Sequence, residues 1–430
     1  MDTILYQLKR VMPKFVLARI RPIYHFILAW TGAVIYRHPS RQITVIAVTG
    51  TKGKSTVTEL ITHILETDGK TVASLSTIQF KIGSDVRRNL YKMTMPGRFF
   101  VQKFLREAVD AGCTHAVIEM TSEGAKQYRH KFIDLDALVF TNLTPEHIES
   151  HGSFEKYKGC KLELAKAVAH SPKRPRTLVA NIDDEHGAEF LAFPVENVLP
   201  YGLSDLSLYS LQKEGFSMVL EGTTLRVPLV GLFNVYNTLA AITLTRAYGV
   251  SLATIDSALH TLPTIKGRVE HFKSAPETGK MVTAIVDYAH TPDSLRQLYT
   301  AFKDVPKICI LGNTGGGRDT WKRPEMAHIA EEFCDHIILT NEDPYDENPR
   351  AIVDAMKKGI VDQSKLTIIM DRRQAIRTAL EQAPDGSYVI ISGKGTDPYI
   401  MGPNNTRQEW SDATVVTEEL QRLENGTSGR

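Results

Sequence analysis

Cysteine is scarce in this chain: four residues in 430, Cys113, Cys160, Cys309 and Cys334, widely spaced and with no CxxC pair. That usage argues against a zinc ribbon, an iron–sulfur site or a disulfide framework, and fits a reducing, cytoplasmic setting. An excess of charge of one sign is missing too. Lys and Arg number 51 against 49 Asp and Glu, so no broad basic surface for nucleic acid is expected. The apolar stretch Ile23–Tyr36 (IYHFILAWTGAVIY) is interrupted by His25, Thr31 and Gly32. It falls short of the roughly 20 residues that span a bilayer. Lys14, Arg19 and Arg21 precede it, but no small-residue cleavage signature follows. It reads either as a helix packed on the next domain or as a peripheral membrane contact through residues 1–40. What remains, 42% hydrophobic and 23% charged, is the balance of a soluble globular chain of two or three domains.

From Gln42 onward short apolar strands alternate with longer amphipathic segments. Ile43–Val48, His115–Met120, Ala137–Thr141 and Thr177–Asn181 read as buried strands with helical stretches between them. This predicts a largely parallel sheet covered on both faces. Residues 206–228 alternate at period two, as antiparallel hairpins do, and helices follow over Phe233–Tyr248 and Leu252–His260. After Pro263 a second series begins, with strands at Val282–Asp287, Ile308–Leu311, Ile337–Thr340, Leu366–Met370 and Tyr388–Ser392. The fold class is therefore α/β, a central P-loop parallel-sheet domain followed by a Rossmann-like C-terminal domain. The expected divisions are a short apolar helical segment over 1–42, a central domain over 43–264 and a C-terminal domain over 265–430. Only the terminal NGTSGR reads as disordered.

The first strand runs into Thr49-Gly50-Thr51-Lys52-Gly53-Lys54-Ser55-Thr56. Glycines let the backbone turn so that N–H groups face a phosphate, and the helix N-terminus adds positive potential. Lys54 would reach the β- and γ-phosphates and the Ser55 hydroxyl would ligand Mg2+. The loop is shorter than GxxxxGK[ST], since Thr49 stands five before Lys54. Taken alone it indicates only nucleotide binding.

Further segments stand in a fixed order. They are Val117-Ile118-Glu119, Thr141-Asn142-Leu143-Thr144-Pro145-Glu146-His147, Gly231 to Asn237 (GLFNVYN) and Gly267-Arg268-Val269-Glu270. Asp287 to Asp293 (DYAHTPD), Gly315 to Asp319 (GGGRD) with Lys322-Arg323-Pro324, and Gly393-Lys394-Gly395 complete the set. Together with GTKGKST, this set resembles the Mur ligase superfamily, ATP-dependent enzymes that join an amino acid to a carboxylate. The resemblance is closest to the UDP-N-acetylmuramoyl-dipeptide ligases (the MurE type), which add the third residue of the peptidoglycan stem peptide.

The resemblance implies an acyl phosphate formed from ATP on a peptide carboxylate, which an amine then attacks. Two anions must be brought together, so charge neutralisation and alignment carry the work. It implies catalytic roles for Lys54, Glu119, His147, Lys161 and Arg268. Gly50, Thr51, Lys52, Gly53, Lys54, Ser55 and Thr56 would cradle phosphates, Asn237 with Asn234 would meet adenine, and Arg268 would reach the γ-phosphate. Asp287 would hold the ribose, with Tyr288 and His290 beside it. Mg2+ on the β- and γ-phosphates would lie on Ser55 and Glu119, and a second Mg2+ on His147, with Lys161 as a carbamate supplying an oxygen anion for the metal. CO2 adds only to a neutral amine, so burial must lower the pKa of that lysine.

Departures from the family pattern bear on substrate. The family's N-terminal domain, which grips uridine diphosphate, is longer than the 42 residues preceding the first strand. A truncated N-terminal domain and a nucleotide- or lipid-linked muropeptide donor are therefore expected. The acceptor motif, DNPR in diaminopimelate-adding relatives, reads Glu342-Asp343-Pro344-Tyr345 here, and GKGHE reads Gly393-Lys394-Gly395-Thr396-Asp397. Asp343, Tyr345, Asp346, Gly393 and Asp397 are the expected acceptor-binding residues, and the lost arginine favours lysine or another diamino acid. Competing readings are a folylpolyglutamate synthase-like or cyanophycin synthetase-like ligase, or a catalytically silent nucleotide-binding partner.

Overall fold

The computed structural model describes residues 14–146, 148–275, 280–317 and 319–427. Two compact units emerge. The first holds residues up to 146 with 151–204 and 238–255; the second holds 148–150, 205–237 and the chain from 256 onward.

In the first unit eight strands form one sheet: β1 (Thr44–Thr49), β2 (Val72–Leu75), β3 (Gln79–Ile82), β4 (Asp85–Arg88), β5 (His115–Glu119), β6 (Ala137–Phe140), β7 (Thr177–Asn181) and β8 (Asn197–Tyr201). Their order is β4-β3-β2-β5-β1-β6-β7-β8, parallel from β2 to β8, with β3 and β4 antiparallel at one edge. The run TVIAVT makes β1 a buried central strand, since a strand covered on both faces needs apolar residues at every position. Val45 and Ala47 share a core with Phe104, Leu105, Leu164 and Val168 from helices Arg98–Asp110 and Phe154–Ala169. The segment after helix Lys54–Thr67, expected to be helical as far as His115, instead holds the β2–β3–β4 meander before helix Arg98–Asp110. Strands of four residues (VASL, QFKI, DVRR) are too short for their alternation to stand out. Ahead of β1 lies helix Lys14–Ile35; among the described residues no helix is long and apolar enough to cross a membrane.

In the second unit, β9 (Leu206–Gln212), β10 (Gly215–Leu220) and β11 (Thr223–Val227) make the expected antiparallel sheet. A six-stranded sheet follows in the order β12-β13-β17-β14-β15-β16. Its strands are β12 (Glu270–Lys273), β13 (Thr283–Val286), β14 (Lys307–Leu311), β15 (His336–Leu339), β16 (Leu366–Ile368) and β17 (Tyr388–Ile391). All pairings are parallel except that of β12 with β13. Alternate residues feed two cores: Ile285, Cys309 and Leu311 on one face, Ala284, Val286 and Ile310 on the other. The segment HTPDS explains itself locally. Thr291 caps helix Pro292–Ala301, accepting the Ser294 N–H while the Ser294 hydroxyl returns to the Thr291 N–H, and Pro292 takes the first helical position. The last helix runs from Asp412 to Thr427, so part of the terminal segment expected to be disordered is helical.

The cysteine reading needs a correction. Cys309 in β14 and Cys334 ahead of β15 are joined by a disulfide, with Cα atoms 6.1 Å apart. They stand 25 positions apart in sequence, and the crossover between neighbouring parallel strands brings them together. The bond is a single core bridge, and Cys113 and Cys160 remain free.

Arg372 and Asp412 form a buried ion pair, Nε to Oδ1 at 2.8 Å and Nη2 to Oδ2 at 2.7 Å. The same Nη2 donates to the Ser392 carbonyl at 2.9 Å. Asp412→Ala should cost about 3–5 kcal/mol by leaving a guanidinium buried without its carboxylate. A lowered denaturant midpoint would register this loss, and an unchanged midpoint would refute it. Replacing both partners with apolar residues should recover much of the loss.

Candidate functional site

The glycine-rich loop joins β1 to helix Lys54–Thr67. Gly50 has φ +148° and its absent Cβ would lie 1.9 Å from Thr141 Oγ1, so no side chain fits there. The end of β6 explains the close approach. Thr141 Oγ1 donates to the Lys52 carbonyl at 2.6 Å, the Thr51 N–H to the Asn142 carbonyl at 2.8 Å, and the Lys52 N–H to Asn142 Oδ1 at 2.9 Å. The loop is thereby held by the end of a neighbouring strand. Gly53, at φ +80°, caps the helix, and Ser55 and Thr56 are buried in its first turn.

Glu119 stands at the C-terminal end of β5, buried, and accepts the Ser55 hydroxyl at 2.9 Å. Lys54 Nζ is 4.0 Å from Glu119 and donates to the Thr51 carbonyl at 2.9 Å. Lys52 pairs with Glu146 at 3.3 Å. Thr77 also holds Glu119, through its N–H at 2.9 Å and its hydroxyl at 3.1 Å. Thr77 was not foreseen: it lies in the loop between β2 and β3, and no motif marks it. Beside it, Ser76 donates to Glu59 at 3.1 Å, and burial pushes Glu59 up to about 7.

Lys161 is the most telling placement. It lies inside helix Phe154–Ala169, only 2% exposed, and its Nζ donates to the Gly50 carbonyl at 2.5 Å. The amine sits 4.9 Å from the centre of the Tyr157 ring, whose hydroxyl meets Thr51 Oγ1 at 2.9 Å. Burial drives the Lys161 ammonium well below its ordinary pKa, and nearby Lys54 pushes the same way. An exposed lysine on a helix face is thus ruled out, and the site favours the neutral amine relative to a solvent-exposed lysine. His147, the other expected ligand of this region, lies outside the described residues. Among the described residues no three His, Cys, Asp or Glu side chains gather into a metal cluster.

The second unit brings its own motifs together. Asn234 and Asn237, on helix Leu232–Ala247, are buried and bonded to each other at 2.9 Å. Asp287 accepts the Val269 and Ala289 N–H groups at 2.8 and 2.7 Å. Burial raises its pKa, against the opposing pull of Arg268. The Arg268 guanidinium lies over the Tyr288 ring at 4.7 Å, and the rings of Tyr288 and His290 stand 4.7 Å apart. Gly267 and Gly395 pack so closely that a Cβ on Gly267 would reach the Thr396 nitrogen at 2.6 Å. Gly393, at φ +106°, leaves its side-chain space to Glu342 Oε2.

Two of the expected acceptor residues, Asp343 and Asp397, hold a buried lysine that sequence reasoning did not single out as a site residue. Lys394 donates to Asp343 at 2.9 Å, Asp397 at 3.0 Å and the Tyr399 carbonyl at 2.5 Å. Asp343 also accepts the Met401 N–H at 2.7 Å, so its carboxylate shapes the loop. Tyr345 takes a left-handed φ of 52°, and Asp346 accepts the Asn404 N–H at 2.7 Å. Arg350 pairs with Asp354 at 3.1 Å, and Arg318 lies outside the described residues.

Comparison with known proteins agrees with this layout. The Mur ligase middle domain model matches residues 48–245, and the model described as Mur ligase, glutamate ligase domain matches residues 267–395. The UDP-N-acetylmuramoyl-L-alanyl-D-glutamate–2,6-diaminopimelate ligase of Syntrophomonas wolfei is 34% identical over 409 residues, covering 91% of this chain and 81% of that protein. A UDP-N-acetylmuramyl-tripeptide synthetase of Roseiflexus is 35% identical over 423 residues, covering 92% and 82%. A solved UDP-N-acetylmuramoyl-L-alanyl-D-glutamate–2,6-diaminopimelate ligase aligns with TM-score 0.61 at 29% identity, over 88% of this chain and 78% of its own. Mycobacterium tuberculosis folylpolyglutamate synthase shares the fold, with TM-score 0.68 at 16% identity over 86% and 92%.

Proposed function

This chain belongs to the Mur ligase family and is an ATP-dependent, ADP-forming amide ligase, and we propose that it adds the third stem-peptide residue in peptidoglycan biosynthesis. Mur ligases use ATP and Mg2+, and act on a UDP-N-acetylmuramoyl peptide and an amino acid. The donor carboxylate attacks the γ-phosphorus of ATP, ADP leaves, and an acyl phosphate forms. The acceptor amine then attacks the acyl carbon, phosphate departs, and the amine loses its proton as the amide forms.

The observation that carries this reading is the pair of buried groups on the phosphate loop, Glu119 at Ser55 and Lys161 at the Gly50 carbonyl. A hydroxyl beside a carboxylate offers the hard oxygens Mg2+ prefers, and the ion would neutralise the β- and γ-phosphates. Ser55, Glu119, His147 and Lys161 as its carbamate are the proposed ligands. Gly50 to Thr56 bind the phosphates, with Lys54 as their cation. Asn234 and Asn237 serve adenine, Arg268 the γ-phosphate, and Asp287 the ribose, flanked by Tyr288 and His290. Functionally the chain divides at 42 and 264, its donor is nucleotide- or lipid-linked, and it works in the cytoplasm with a peripheral membrane contact through residues 1–40.

On the acceptor side, Tyr345 offers one hydroxyl where an arginine would read a distal carboxylate through two bonds. Asp343, Asp346, Gly393 and Asp397 complete that side, and the cation Lys394 is shared between two of its acids. The balance there is acidic, so lysine should win over meso-diaminopimelate. The test supplies ATP, Mg2+ and UDP-N-acetylmuramoyl-L-alanyl-D-glutamate with both amino acids at equal concentration, and reads product mass. A lysine-containing tripeptide product is expected. A diaminopimelate product would overturn the charge argument alone. Turnover only with dihydrofolate and glutamate would overturn the peptidoglycan reading, and none with any pair would overturn the ligase assignment itself.

A further inference from the structure

Helix Lys14–Ile35 rests on helix Arg98–Asp110 along a narrow strip. Ala29 and Ala33 are buried, and at Gly32 an added Cβ would touch the Phe99 backbone at 3.6 Å, so small residues let the helices approach closely. Phe26 meets Phe132 edge-on at 5.1 Å. The rest of the helix faces outward. Ile23, Ile27, Trp30 and Val34, spaced four, three and four, form a single stripe with exposures of 62%, 50%, 49% and 45%. Ile35 continues it at 61%. One exposed leucine or valine is ordinary on a soluble protein, but an aligned apolar stripe about three turns long marks a surface that something covers.

The charge around this stripe indicates what covers it. Residues 3–58 contain no Asp or Glu, and Arg37 follows directly on the end of the helix; Arg41 beyond it is paired with Asp134 at 3.0 Å. Where the stripe ends, Ile35, Arg37, Gln42, Arg106 and Asp110 line a groove of about 510 Å3. Arg106 pairs with Asp110 at 2.9 Å through one Nη, while its buried Nε has no hydrogen-bond partner among the described residues. A second copy docked through the same face would set cations against cations. A bilayer with anionic headgroups supplies both the apolar layer and the missing negative charge.

We propose that the outward face of helix Lys14–Ile35 docks on an anionic phospholipid surface, the stripe entering between headgroups and Arg37 meeting lipid phosphate at the groove. This deepens the peripheral contact proposed above and does not depend on the acceptor. Lying in the interface suits a helix whose other side is committed to protein packing.

The full chain would be floated with vesicles of phosphatidylcholine alone or mixed with phosphatidylglycerol. The bound fraction should be about tenfold higher on the anionic vesicles and fall with added salt. Ile27→Asp with Trp30→Asp should abolish binding, and Arg37→Glu should weaken it, while thermal midpoint and ATP-dependent ligation of a soluble donor stay unchanged. Equal flotation on neutral vesicles would overturn the anionic preference but leave a membrane contact standing. No flotation on either would overturn both. A dimer in sedimentation velocity that the double substitution dissolves would assign the stripe to a second copy and also overturn the proposal. Loss of ligation with intact flotation would count against the ligase reading only.

Discussion

Lys161→Ala is expected to lower the rate of ligation by about a thousandfold while leaving the chain folded. The amine lies against the Gly50 carbonyl in a site that disfavours its charged form, with Lys54 adding like-charge repulsion. A neutral amine adds CO2 and releases one proton, turning a buried cation site into an anion. That anion, with His147, would offer oxygen and nitrogen ligands to a second cation that neutralises charge between two negative reactants. Two readouts separate this role from simple packing. Small carboxylates such as acetate should restore part of the activity of the alanine variant, and intact wild-type protein should carry the mass of one CO2 on Lys161. Full activity of the variant without additives would sink the idea. Wild-type activity indifferent to removal of bicarbonate, with no added mass, would limit Lys161 to holding the loop.

Gly50→Ala should weaken binding of an ATP analogue by about a hundredfold, with a stability loss of a few kcal/mol. Two causes add. The backbone φ of +148° is one that alanine rarely adopts, and its methyl would sit 1.9 Å from Thr141 Oγ1 and 3.1 Å from the Asn142 carbonyl. Thr141 cannot yield cheaply, because its hydroxyl donates to the Lys52 carbonyl at 2.6 Å and so fixes the loop. Gly69→Ala is the control: φ is +81° and nothing lies within 4 Å of the added carbon. It should cost only about 1 kcal/mol of strain and leave nucleotide affinity alone. Calorimetric titration of both variants decides. Unchanged affinity in a folded Gly50→Ala protein would show that the loop's shape tolerates the methyl.

Much of this architecture was legible because its signals are local. The run of apolar residues leading into GTKGKST marks β1 and the phosphate loop, and the period-two stretch 206–228 marks the antiparallel sheet. Lys161 was legible in part. Only the family resemblance marked it, and the structure adds that Tyr157, Leu164, Ala165 and Val168 share its buried helical face. What escaped depends on chain segments meeting at long range. β3 and β4 owe their existence to edge pairing, the Cys309–Cys334 contact to a crossover, and the hold of Thr77 on Glu119 to a turn between two strands. Lys394 looked like one letter of a glycine motif. Only the fold reveals that it ties Asp343 to Asp397.

The Arg372–Asp412 pair ties the acceptor-side loops to the last helix of the chain. Arg372 holds the Ser392 carbonyl, one residue before Gly393, and Asp412 neutralises Arg372. All six strands of the sheet and the loops bearing Asp343 and Gly393 precede Asp412 in the chain. Without Asp412 the guanidinium beneath them lacks the carboxylate that pairs with it, and burying it would be opposed by several kcal/mol. A chain cut before helix Asp412–Thr427 would keep every strand of that sheet yet leave Arg372 without its ion pair under Ser392.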